Sequence, residues 1–193
     1  HKISEHYLPS KEIAEIPSMS MELLTSPWMH LFFNGDANKY RYLQISNSIN
    51  LIISTTMGDE FQHIIYDNPE MTKSDRRKAW LELNKVYHPD SNYEDIEILN
   101  NGGGWLHHPH LFQTPFYLID YALAQFGAYQ LWQRSFIDHK QAMKDYFNLC
   151  KAGGSKSFNE LLKIADLKSP FEPGLVKSMT AEIEKWLDEN KVK

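Results

Sequence analysis

The chain of 193 residues carries 20 basic and 25 acidic side chains, nine histidines and a single cysteine, Cys150, for a formal net charge of −5. An apolar content of 42%, with 13% aromatic residues, is enough for a packed core and argues against wholesale disorder, while one cysteine excludes an internal disulfide and favours a reducing, cytoplasmic setting. The acidic balance argues against general nucleic-acid binding, and no run approaches the roughly 18 apolar residues of a membrane span.

Helical periodicity dominates from the first organised segment onward. Between Ser10 and Phe33, the positions Ile13, Ile16, Met19, Leu23 and Leu24 recur near every 3.6 residues. Pro17 is awkward there, and marks either a first turn or a kink. Asn34-Gly35-Asp36 reads as a stop. A second helix is expected from Asn38 to Tyr66. Thr72, with Asp75 three residues on, caps a third that runs to Tyr87 before Pro89. Residues Ser91 to Thr114 are the least periodic stretch and hold Gly102-Gly103-Gly104 and the cluster His107, His108, Pro109, His110. A fourth helix follows Pro115, with Phe116, Ile119, Leu123, Phe126 and Leu131 on its apolar positions. Another covers Asp138 to Cys150. Ser157 with Glu160 caps the next, and Val176, Met179, Ile183, Trp186 and Leu187 define the last. The expected fold class is all-α, with residues 1–193 forming one helical segment and no internal repeat.

Nine histidines raise the question of metal, but their spacing does not answer it. A zinc peptidase helix uses H-E-x-x-H, which sets two imidazoles on one face beside a carboxylate. That motif is absent here. His1 and His6 are five apart, and the cluster at 107–110 matches no standard zinc spacing. Glu12, Glu15 and Glu22 lie on or near one face of the first helix, Glu15 and Glu22 two turns apart. Carboxylates beside a core face are costly unless paired or metal-bound, yet periodicity alone favours a solvated edge. Tyr117 and Tyr121, at i and i+4, follow His110. A phenol and an imidazole aimed at one point stabilise an oxyanion, though ordinary aromatic packing gives the same pattern. Tyr87-His88-Pro89-Asp90 looks like the turn of J-domain co-chaperones. The upstream elements of that domain are missing, and Asp95 and Glu97 follow where basic residues are usual. Cys150 has no base nearby in sequence and reads as a buried helix-end residue.

Taken together, several blocks resemble the C-terminal part of the catalytic domain of the oligoendopeptidase F and thimet oligopeptidase family of zinc metallopeptidases. They are Glu12 to Leu23; Asp59-Glu60-Phe61-Gln62-His63 with Tyr66, Asn68-Pro69 and Thr72; His110-Leu111-Phe112 with Pro115 to Tyr121; and Lys151 to Ser155 with the closing helix. The resemblance covers nearly the whole chain in the right order. It implies that Glu15 is the third zinc ligand and that Glu22 orients a ligand imidazole. It implies that Tyr121 hydrogen-bonds the scissile carbonyl, that His110 contacts substrate and that Tyr117 is the second tyrosine. The glycines at 102–104 resemble a loop that adapts to peptide. The implied reaction is zinc-dependent hydrolysis of short peptides. The H-E-x-x-H helix, with two ligands and the general base, is expected upstream of His1, in another part of the same peptidase. Alone, the chain is then expected to be inactive. The alternative is a non-catalytic helical module, retained for peptide binding or interaction after loss of the metal helix.

Overall fold

The computed structural model describes residues 3–192; His1 and its pairing with His6 lie outside them. The described residues form helices and turns, with no strand. Seven helices of at least seven residues follow in order: α1 (Lys11–Leu24), α2 (Ala37–Asp67), α3 (Lys73–Tyr87), α4 (Leu118–Ile137), α5 (His139–Ala152), α6 (Phe158–Ile164) and α7 (Leu175–Glu189). No helix among the described residues is long and apolar enough to cross a membrane.

The caps that end these helices are local chemistry. Thr72 and Asp75 form the expected capping box on α3, the Asp75 amide donating to Thr72 Oγ1 at 3.2 Å and the Thr72 amide to the Asp75 carboxylate at 3.0 Å. The Thr72 hydroxyl, donating to the same carboxylate at 2.7 Å, and then the Thr72 amide hold the Asp75 carboxyl below its usual range. The Ser157 amide and hydroxyl donate to Glu160 in the same way ahead of α6. Asp138 accepts from the Gln141 amide at 2.9 Å and starts α5. Each such cap satisfies donors that an isolated helix end leaves unpaired.

Two boundaries differ from the sequence reading, and the structure places Pro17. The first segment is not continuous to Phe33. α1 stops at Leu24, Thr25 Oγ1 donates back to the Met21 carbonyl at 2.8 Å, and Pro27 restricts Ser26. One-turn helices then cover Ser26–Trp28, His30–Phe33 and Asn34–Asp36. Pro17 sits within α1, neither at its first turn nor at its end, and the helix continues through it. Phe116 lies outside the fourth helix, which starts at Leu118. Its φ of +59° is incompatible with helix entry.

The chain divides into two compact units. One comprises the residues up to Asn50 and those from Leu123 onward. Its core is built by the apolar face of α1 (Ile13, Ile16, Leu23, Leu24) and by Tyr129 and Leu131 of α4, Leu149 of α5 and Leu161 and Leu162 of α6, all buried. Within it α1 packs on α5 and α6. Tyr129 is fully buried, and its hydroxyl meets Ser48 Oγ at 2.6 Å. Arg134 Nη1 donates to the buried carboxylate of Asp145 at 2.5 Å, and Gln141 donates to the other oxygen at 2.8 Å. Cys150 is exposed near the end of α5, contrary to the buried position expected.

The second unit is Leu51–Ala122. Its core is Met57 and Phe61 of α2, Trp80 and Leu83 of α3, and Leu111 and Leu118. The Phe61 and Trp80 rings meet edge-on at 5.1 Å, a favoured aromatic geometry. The stretch 91–114 contains one-turn helices at Glu97–Asn100, Gly104–His107 and His110–Gln113. Its glycines are packed rather than free. Gly102, buried at φ +71°, sits where a Cβ would meet the Arg77 carbonyl oxygen at 2.2 Å. Tyr87 and His88 of the J-domain-like tetrapeptide bind α2 instead. Tyr87 donates to Glu60 at 2.5 Å and His88 Nε2 lies 3.3 Å from Ser54 Oγ.

Candidate active site

The second unit brings together all three aromatic residues singled out from the sequence. His110 opens a one-turn helix directly after Pro109, a position that proline tolerates because it needs no amide donor there. Tyr117 directly precedes α4, its amide donating to the Thr114 carbonyl at 3.2 Å and its carbonyl accepting from the Asp120 amide at 3.1 Å. Tyr121 stands one turn into α4. The rings of His110 and Tyr117 stack at 5.4 Å with 27° between planes. Tyr121 is edge-on to both, at 5.6 Å from His110 and 5.0 Å from Tyr117. Its hydroxyl lies 3.4 Å from His110 Nε2. Tyr117 and Tyr121 adjoin as their spacing predicts, although Tyr117 is not itself helical.

All three side chains are half-buried, so each has a packed side and an open side. A phenol and an imidazole that share one locus present a donor pair to an incoming oxygen. The neighbouring His108 is different. Burial, and then the charges of His107 and His110, hold its pKa below the usual histidine value, and its ring packs against Trp80 at 5.6 Å. It is a neutral packing residue rather than a member of the donor group.

The first unit holds the two carboxylates. Glu15 is half-buried on α1 between buried Ile13 and Ile16 and near Ser18, whose hydroxyl donates to the Glu15 carbonyl at 3.0 Å and reaches its Oε2 at 3.4 Å. Glu22, two turns on, is exposed. The donor set does not make a metal centre by itself. Among the described residues no group of three or more His, Cys, Asp or Glu side chains is placed to hold an ion. Glu15 offers one carboxylate, short of the ligand set that a metal ion needs.

Two residues of this region carried no role in the sequence reading. Gln62 is fully buried on α2, and its Oε1 accepts the Phe116 amide at 3.1 Å. Phe116 is the strained residue just before Tyr117. The block 59–63 stands out in the sequence, but a side chain that accepts from one positive-φ amide leaves no periodic signal.

Comparison with known proteins settles the family. The sequence profile of peptidase family M3 matches residues 4–181. The chain belongs to peptidase family M3. It is similar to the structure of PZ peptidase A solved with an inhibitor, with a TM-score of 0.96 and 44% identity, over 98% of this chain and 34% of that one. An X-ray structure provisionally designated oligoendopeptidase F gives a TM-score of 0.95 and 44% identity, over 100% of this chain and 34% of that one. An oligoendopeptidase F homolog of Borreliella burgdorferi is 29% identical over 159 residues, which is 78% of this chain and 26% of the relative. The M3 chain described here thus spans about a third or less of the length of these relatives. The expected oligopeptidase family and the all-helical architecture are both borne out.

Proposed function

We propose that the chain contributes part of the active site of a zinc-dependent oligopeptidase that hydrolyses short peptides. The observation that carries this reading is the convergence of Tyr121, His110 and Tyr117 at one half-buried locus, in a chain of the M3 family. Tyr121 donates its hydroxyl hydrogen to the scissile carbonyl oxygen as negative charge develops there. A donor already held in place needs no reorganisation at the moment of reaction, which is why such groups lower the barrier. His110 and Tyr117 bind and orient the peptide beside it, fixing the carbonyl in reach. Glu15 offers a carboxylate ligand to zinc, and Glu22 orients a ligand imidazole. Zinc held there by a complete ligand set would supply Lewis-acid activation of the attacking water.

The reading is tested with the protein as its gene encodes it, including whatever precedes and follows these residues. Cleavage of a quenched short peptide that is abolished by a chelator and restored by zinc supports it. Peptide binding without cleavage, unchanged by chelator, would instead mean a helical binding module.

A further inference from the structure

Tyr117 is flanked by two residues gripped by successive turns of α2. On one side, Phe116 holds a φ of +59°, a conformation rare and strained for a bulky side chain. Its amide donates to Gln62 Oε1 at 3.1 Å, and its ring packs on His63 and Tyr66, each at 5.0 Å. On the other side, Leu118 is buried against Gly58, where an added Cβ would meet Leu118 Cδ1 at 2.5 Å. Gly58, Gln62 and Tyr66 recur at four-residue spacing, one face of the helix. The orientation of the Gln62 amide is determined by its partner. The Phe116 amide only donates, so the carbonyl oxygen must face it. Among the described residues Nε2 meets no hydrogen-bond partner, in a fully buried side chain.

We infer that Gln62 is a positioning residue: by accepting the Phe116 amide it holds the strained turn that aims Tyr117, and through it Tyr121 and His110, at the substrate carbonyl. This rests on the proposed peptidase reading for its consequence, but not for its geometry.

The test uses Gln62→Met, which keeps the shape and removes the acceptor, and Gln62→Glu, which keeps an acceptor oxygen in either protonation state and breaks no bond that Nε2 makes. Leu161→Ala, a buried position in the other unit, calibrates the effect of lost stability. In the protein as encoded, Gln62→Met is expected to lower kcat about tenfold or more with KM within about twofold, since small misplacements of aligned groups are expensive. Gln62→Glu is expected to stay within about threefold of the parent kcat. Amide exchange at Phe116 should accelerate in Gln62→Met and not in Gln62→Glu. An unchanged kcat in Gln62→Met overturns the inference, as does an equal loss in Leu161→Ala or a failure of Gln62→Glu to rescue. If the parent cleaves no peptide, the peptidase reading fails, and the exchange data decide the positioning role by themselves. Faster exchange with loss of the His110–Tyr121 ring contact by NMR upholds it, and unchanged exchange refutes it.

Discussion

The hydroxyl of Tyr121 and the Nε2 of His110 are 3.4 Å apart, though eleven residues separate them in the chain. Pro109 starts the turn that presents the histidine, and Leu118 anchors the helix that presents the tyrosine, so neither position is an accident of a loose loop.

That placement predicts a selective loss. Tyr121→Phe removes one donor and leaves the ring. In the complete peptidase, kcat on a short quenched peptide should fall roughly 10²-fold with KM changed by less than about threefold. An unaltered kcat removes Tyr121 from the mechanism.

The proposed role of Glu15 as a zinc ligand has its own readout. Glu15→Gln keeps the side-chain shape while weakening the charge offered to a metal. Zinc retention in competition with a chelator should drop sharply. Glu22→Gln should lower it by about 10- to 100-fold, the usual effect of removing a group that orients a ligand. Equal retention by parent and Glu15→Gln would exclude Glu15 as a ligand.

Arg134 neutralises Asp145 inside the first unit. Arg134→Met leaves a buried carboxylate with only the Gln141 amide, and should cost about 3 kcal/mol in urea unfolding. Replacing both residues, Arg134→Met with Asp145→Leu, should recover the part of that loss that lies in the unpaired charge, and not the part from the Ala165 and Asp166 carbonyls that Arg134 also binds. A double variant no more stable than the single one contradicts this account.

Alkaline pH should unfold the chain in a defined window. The Tyr129 hydroxyl is pushed up to about 12 by burial, the Ser48 contact offsetting this in part, and Tyr87 to about 12 chiefly by its hydrogen bond to Glu60. Both lie above the ordinary value of 10.0. A raised folded-state pKa means that the folded state holds the proton more tightly, so this stability is complete below pH 10 and is lost as pH rises toward 12. Circular dichroism at 222 nm and tyrosinate absorbance at 295 nm should change together across that interval. Tyr129→Phe should move the midpoint upward.

The helices were legible because their causes are local. Apolar spacing near 3.6 marks α1, α4 and α7, and the Thr72–Asp75 and Ser157–Glu160 boxes mark the starts of α3 and α6. The stop after Leu24 was missed, because a threonine bonding backward and a proline two residues on interrupt a pattern that otherwise continues. The resemblance implies an adaptable glycine loop at 102–104, whereas the structure packs these glycines closely. Gly102 is there to let the chain pass the Arg77 carbonyl, a contact between segments some 25 residues apart (102 − 77).

The number of histidines pointed toward metal, and the residues themselves bear out a narrower statement. By itself the sequence determined the helical class, the family and the identity of His110, Tyr117 and Tyr121, because helix formation and motif order depend on neighbours along the chain. Only the tertiary structure decided that the three rings share one locus and that Gln62 holds the turn beneath them. Those relationships join α2 to the start of α4 through one buried amide and one positive φ, and a hydrogen bond across 54 residues (116 − 62) leaves no periodicity to read.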